Sequence, residues 1–186
     1  MGNIACLAAD KANCPEPHGP DFDLGASANL IALEDGRRLL TIGQKSGLVF
    51  ALDPDGQGRI VWQARIERGG PLGGVQWGTA TDGKAVYAAT SDVALKDLVI
   101  GQPFALDADA GGGLQALDAA TGNRLWTTQR RAPAPAARPS AIRRFHRDAG
   151  LRVVRSVDGH LRAYPAADGR VLWDYDRGRP FDTVNG

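Results

Sequence analysis

Four residues in the first half of the chain are of types that do chemistry. Asp23 stands in GPDFDLGASANL (19–30), Lys45 in GQKSGLVFAL (43–52), and Gln76 and Trp77 in ERGGPLGGVQWG (67–78). A carboxylate held beside a hydroxyl is a general base. A fixed cation stabilises negative charge that develops on an oxygen. A primary amide offers donors and an acceptor together, and an indole offers a flat apolar face. Each residue also has a plainer reading. Asp23 suits a turn, bonded to backbone, and on residue types alone that reading leads. Lys45 suits a solvated hairpin lysine, because KSG is itself a turn sequence. Asp21 shares the turn reading of Asp23 and receives no role.

Cys6 and Cys14, the two cysteines of the chain, sit in a loop with Pro15 and Pro17. A disulfide staple in an oxidising compartment and a pair of ordinary thiols fit that spacing equally. With His18 they make three scattered metal-type ligands lacking a fourth, a weak metal signal.

The elements that must position these residues are read from composition and repetition. The chain has 186 residues, enough for one ordinary domain, and a formal net charge of +1, which argues against a nucleic-acid footprint. No apolar run approaches the roughly 18 residues of a membrane span. The opening MGNIACLAADKANC has neither the basic start nor the apolar stretch of a secretory leader, and the chain reads as a piece of something longer.

Three segments superimpose: RRLLTIGQKSGLVFALDPDGQGRIVW (37–62), KAVYAATSD with GGGLQALDAATGNRLW (84–92 and 111–126), and LRVVRSVDGHLRAYPAADGRVLW (151–173). Each reads as three strands joined by turns. The middle strand carries Ala51, Ala116 or Ala163, and the last reaches Trp62, Trp126 or Trp173 after eleven, ten and ten residues. Ala51 to Ala116 is 65 residues and Ala116 to Ala163 is 47, so the second unit carries an excess of about 18, placed between 92 and 112. Units of short strands with a periodic aromatic predict an all-β chain, a propeller segment in which a small alanine lets sheets approach and a tryptophan covers the gap. For Trp62, Trp126 and Trp173 core packing is the expected role. Trp77 lies outside this register, so core packing explains it less well.

FALDPDGQGRIVW, LQALDAATGNRLW and LRAYPAADGRVLW resemble the tryptophan-docking repeats of quinoprotein alcohol dehydrogenases. ERGGPLGGVQWGTATDG and the tail DGHLRAYPAADGRVLWDYDRGRPFDTVNG are most similar to the polyvinyl alcohol dehydrogenase branch, over residues 1–128 and 156–186. The resemblance implies about three blades of a roughly eight-bladed propeller with pyrroloquinoline quinone on its axis. It implies that Phe22-Asp23 opens a blade and that Asp23 is the base that takes the alcohol's proton as hydride leaves for the quinone. It places Lys45 where an Arg or Lys faces the quinone oxygen, and Gln76-Trp77 where relatives have Asn-Trp against the quinone. The longer glutamine arm makes Gln76 the weaker match.

The family's calcium ligands are expected outside this chain, so no metal ligand is assigned. Gly25 stands where lanthanide-type relatives carry an extra aspartate. An alcohol or polymer-alcohol substrate, a cytochrome c acceptor and a periplasmic setting are implied for the parent enzyme; the fragment alone is expected to be inactive. The alternative is a non-catalytic propeller serving as scaffold or interaction protein, which has no reason to hold Asp23, Lys45 and Trp77 together.

Residues 129–152, QRRAPAPAARPSAIRRFHRDAGLR, depart from the pattern, with seven arginines, three prolines and no lysine. A basic patch and a solvated linker are two readings. A third, out-of-frame translation of a GC-rich gene, is preferred, and His146 is assigned no role.

Overall fold

The computed structural model describes residues 10, 14, 16–17, 19–20, 22–70, 73–91, 95–97, 105–106, 112–129, 142–143, 147–148, 150–156 and 160–177. Strands account for all of its regular secondary structure. No helix among these residues is long and apolar enough to cross a membrane.

The first sheet is the antiparallel meander β1 (Asn29–Ala32), β2 (Arg38–Gly43), β3 (Leu48–Asp53) and β4 (Arg59–Arg65). The second begins with β5 (Thr79–Thr81) and β6 (Ala85–Ser91), leaves the sheet for a separate ladder of β7 (Leu95–Asp97) with β8 (Ala105–Leu106), and resumes with β9 (Gly112–Asp118) and β10 (Arg124–Gln129). Of the excess residues expected between 92 and 112, β7 and β8 form this separate ladder, and 92–94, 98–104 and 107–111 lie outside the described residues. The third sheet contains β11 (Ile142–Arg143), β12 (Arg147–Asp148), β13 (Leu151–Ser156), β14 (His160–Pro165) and β15 (Trp173–Asp176). β11 and β12 both pair with β13, so part of the arginine-rich stretch belongs to a sheet; residues 130–141, 144–146 and 149, His146 among them, lie outside the described residues.

Register follows the repeats. Ala51 faces Trp62, Ala116 faces Trp126 and Ala163 faces Trp173 as cross-strand partners. Between these strands an aspartate or proline closes the turn: Asp118 Oδ1 accepts from the amides of Ala120 and Thr121, and Asp53 Oδ1 from those of Asp55 and Gly56. Such side-chain caps are why Asp and Gly crowd these turns.

The sheets stack face to face. In β6, Val86 and Ala88 point into the cluster shared with the first sheet, while Ala85, Tyr87 and Ala89 point into the cluster shared with the third. That is the period of two expected of a strand covered on both sides. Trp62 closes the first junction by donating its Nε1 hydrogen to Ala119 O at 3.0 Å, and Trp126 closes the second by donating to Ala166 O at 2.8 Å. Their rings lie over Gly122 and Gly169, where a Cβ would come within 2.6 Å and 2.3 Å of the indole Cε3. Glycine is required there twice over, because both residues also have positive φ, +75° and +67°.

Trp173 departs from the core-packing expectation. It stays 48% exposed and stacks on Tyr175 of its own strand, and among the described residues no further turn is placed against it.

The second junction also carries an ion pair. Arg152, from β13, donates to Asp82 Oδ2 at 2.6 Å, and its guanidinium lies 4.0 Å from the centre of the Tyr87 ring. The Tyr87 hydroxyl donates to the same Asp82 oxygen at 2.7 Å.

Candidate functional site

The candidate residues precede the edge strands β1 and β5 or join β2 to β3, at one end of the first and second sheets. Residues 44–47 form the turn between β2 and β3, closed by Gly47 N donating to Gln44 O at 3.0 Å. Asp23 lies six residues before β1 and Trp77 two before β5. β1 and β5 are tied by Asn29, whose side-chain amide donates to Thr79 O at 2.9 Å and Thr79 Oγ1 at 2.7 Å. This link, which sequence reasoning missed, holds these two edge strands together just beyond the candidate residues.

Asp23 and Lys45 meet through both main chain and side chain. Lys45 N donates to Asp23 O at 3.0 Å, and Lys45 Nζ donates to Asp23 Oδ2 at 2.7 Å. The lysine side chain is 10% exposed and the aspartate 59%, so the cation is sunk into the fold while the carboxylate faces outward. The solvated-turn reading of Lys45 therefore does not hold.

The burial of Lys45 has a local cause. The loop 66–74 folds back over the 44–47 turn: Gly70 N donates to Lys45 O at 2.9 Å, and Val75 N to Gln44 O at 3.1 Å. Gly69 and Gly74 have positive φ, and a Cβ on either would come within 2.5 Å and 2.1 Å of the Lys45 carbonyl oxygen. The paired glycines of RGGPLGGVQWG thus let one loop lie directly on the backbone that carries the cation. Arg65 adds a hydrogen bond to Ser46 O at 2.7 Å.

Gln76 and Trp77 join the same cluster. A Cβ at Gly25 would lie 3.0 Å from Gln76 O, and one at Gly78 would lie 3.3 Å from the Ala26 side chain, so 76–78 packs against the segment just after Asp23. Gln76 is half-buried, and Trp77 is 42% exposed. Asp23 and Lys45 are thus in direct contact, and the segment carrying Gln76 and Trp77 runs past the residues just after Asp23. Asp21, Cys6 and His18 lie outside the described residues. Cys14 is disulfide-bonded. Among the described residues, no group of three or more His, Cys, Asp or Glu side chains is arranged to hold a metal ion.

A PQQ-type repeat family model, described as outer membrane protein assembly factor BamB, matches residues 45–185, most of the chain. The chain belongs to this family. It is 39% identical to a polyvinylalcohol dehydrogenase of a Pseudomonas species over 98% of its own length and 28% of that protein's. It is 37% identical to the polyvinylalcohol dehydrogenase of Sphingopyxis sp. (strain 113P3), over 91% of its length and 25% of the relative's. Both the family match and the Pseudomonas alignment run across residues 129–152. The chain spans about a quarter of the length of these curated relatives. Among solved structures, BamB from Moraxella catarrhalis matches with a TM-score of 0.51 at 17% identity, over 80% of this chain and 37% of that one, which shows the propeller-type fold. The resemblance to the quinoprotein dehydrogenases read from the repeats is thus borne out, and the oxidoreductases it points to are the polyvinylalcohol dehydrogenases.

Proposed function

We propose that this chain is the part of a PQQ-type alcohol dehydrogenase that carries its general base, Asp23, and a fixed cation, Lys45, acting on hydroxyl groups of an alcohol or alcohol polymer. The observation that carries the reading is the 2.7 Å pair between a sunken lysine and an outward-facing carboxylate, with Gln76 and Trp77 beside it. A turn aspartate and a solvated lysine have no need of a loop built from glycines to bury the cation.

The donor set suits pyrroloquinoline quinone, a flat molecule rich in anionic oxygens: Lys45 supplies positive charge, Gln76 an amide and Trp77 a ring face. When bound, that cofactor supplies the hydride acceptor. Lys45, Gln76 and Trp77 would hold it, and Lys45 would stabilise negative charge at its oxygen. Asp23 would accept the hydroxyl proton as hydride departs, which its exposure allows, since a substrate can approach the carboxylate from the solvent side. At the level of the whole protein the proposal includes calcium, with ligands outside this chain, electron transfer to a cytochrome c, and a periplasmic setting.

One observation favours a second reading, the family model's description as an outer membrane assembly factor. A scaffold of that kind would use the sheets and not the Asp23–Lys45 pair.

The test is turnover per bound quinone in the full-length protein. Asp23→Asn keeps shape and hydrogen bonding but cannot accept a proton, so turnover is expected to fall by about 10²–10⁴-fold at unchanged quinone content. Lys45→Ala is expected to lower it as well. A variant Asp23→Asn within about twofold of the parent, far short of a general-base loss, removes Asp23 from the mechanism and leaves the scaffold reading.

A further inference from the structure

The loop 66–74 that covers the Lys45 backbone is itself held from the second sheet. Gln115 stands in β9 opposite Ala88 of β6, one alternation from Leu117. Ala88 and Leu117 belong to the apolar cluster shared with the first sheet, so Gln115 points the same way, and it is 2% exposed. Its Nε2 donates to Ile66 O at 2.5 Å and lies 3.4 Å from Glu67 Oε1. Two acceptors facing one end of the amide fix that end as the nitrogen.

The bond lands at the root of the loop. β4 ends at Arg65, and Ile66 is the first residue past its ladder. Ile66 N donates to Gly47 O at 2.9 Å, and a Cβ at Gly47 would lie 2.2 Å from Glu67 O, so residues 66 and 67 lie directly on the end of the 44–47 turn. The loop then passes Gly70, whose amide donates to Lys45 O, and returns to Gly74, whose carbonyl accepts from Ser91 N at 3.1 Å. The second sheet thus grips the loop at both ends, with the Lys45 backbone beneath. The grip at Gly74 is main chain; the grip at Ile66 depends on the Gln115 side chain.

Packing gives no reason for an amide there. Gln115 Oε1 has no hydrogen-bond partner among the described residues, a desolvation cost that an apolar side chain would not incur. Its neighbours on that face, Ala88 and Leu117, are apolar. A buried residue that breaks the local rule in order to place one N–H points to a functional requirement on the segment it holds.

We infer that Gln115 is a positioning residue for Lys45. By anchoring Ile66 it fixes the loop against the 44–47 turn, and so fixes the backbone from which Lys45 Nζ reaches Asp23. The inference rests on the reading of Lys45 as the cation of the site.

The test is a double-mutant cycle in the full-length protein, read as the Kd of pyrroloquinoline quinone by its absorbance and, separately, as turnover per bound quinone. Gln115→Met keeps an unbranched arm of similar length and removes the donor. It is expected to weaken quinone binding and to lower kcat by about 10-fold each, inside the roughly 10²-fold that a 1 Å misplacement can cost, with the KM for alcohol unchanged. In a Lys45→Ala background the same substitution is expected to change neither by more than about twofold, because the group it positions is gone. Gln115→His, whose Nε2–H ends at a similar reach, is expected to restore both. Equal losses with and without Lys45, no loss in Gln115→Met where Lys45→Ala shows one, or a Gln115→His variant no better than Gln115→Met each overturn the proposal and leave the reading of Lys45 standing. A Lys45→Ala variant that binds quinone and turns over as the parent does overturns the reading of Lys45 itself, and this inference with it. Where Gln115→Met does not fold, Gln115→Leu carries the same cycle; failure of both to fold assigns Gln115 to the fold alone and overturns the proposal.

Discussion

Two ion pairs in this molecule both bury the cation and differ in how the carboxylate is held. At the junction of the second and third sheets, Asp82 receives a hydrogen bond from the Tyr87 hydroxyl, one from Arg152 and two from the amides of Lys84 and Ala85. Burial alone would push its carboxyl up, but the bonds from Tyr87 and the two amides, with the charge of Arg152, outweigh it and hold the group below the usual carboxylate range. At the loop end of the first sheet the cation, Lys45, is likewise buried, but the carboxylate is more open, Asp23 being 59% exposed against 33% for Asp82. Three of the bonds to Asp82 come from its own sheet, and the one from Arg152 fastens that sheet to the third. Asp23 presents its carboxylate where a reacting molecule can reach it. A carboxylate that accepts four hydrogen bonds at a sheet junction is a fastener, and a more exposed one beside a sunken cation is a candidate base.

Removing Arg152 tests that contrast most strongly. Arg152→Ala leaves the Asp82 carboxylate without its cation at a sheet junction and strips the cation from the Tyr87 ring. The expected loss is about 3 kcal/mol of folding stability, the low end of the range for breaking a buried pair, since Asp82 is partly exposed. Urea unfolding of the chain measures it. A loss below about 1 kcal/mol, the worth of a surface pair, would show that this junction rests on its apolar contacts.

How the two pairs entered the reading differs too. The repeats made the sheets legible: cross-strand partners Ala51–Trp62, Ala116–Trp126 and Ala163–Trp173 follow from spacing, because a strand register with a period of two fixes which residues face each other. Spacing identifies Trp173 as a docking residue, but not whether a turn stands opposite, which is a property of the neighbouring sheet. The proximity of Asp23, Lys45 and Trp77 came from the family resemblance; residue types alone favoured turns. The contact of Gly69 and Gly74 with the Lys45 carbonyl is not legible in the sequence, since it depends on how a loop folds back. Asn29–Thr79 and Arg152–Asp82 join residues 50 and 70 positions apart with no periodic signal between them.

The junction also sets an alkaline limit. Burial, and then the bond to Asp82, push the Tyr87 hydroxyl up from 10.0 to about 12. The folded state therefore favours the neutral phenol more than the unfolded chain does. That contribution is complete below pH 10, and it is lost as pH rises from about 10 towards about 12. Tyr87→Phe has no proton to lose there. The urea midpoint of the wild type is expected to fall towards that of Tyr87→Phe across this window, and two midpoints that move in parallel would detach Tyr87 from the alkaline limit.

The smallest expected effect is the most informative for the contrast. Asp23→Asn should barely change folding stability, within about 0.5 kcal/mol, because the side chain is exposed and the amide can still accept from Lys45 Nζ. The backbone bond from Lys45 N to Asp23 O is untouched by the substitution, so the 22–25 segment keeps its place against Gln76. Lys45 is the partner with more to lose, since it is the one that is buried, but a neutral acceptor still occupies its hydrogen-bonding direction. A stability loss comparable with that of Arg152→Ala, measured by the same urea unfolding, would mean that Asp23 fastens the loop as Asp82 fastens the junction. An unchanged midpoint leaves Asp23 as a group whose placement costs the fold nothing to alter, which is what a residue kept for chemistry requires.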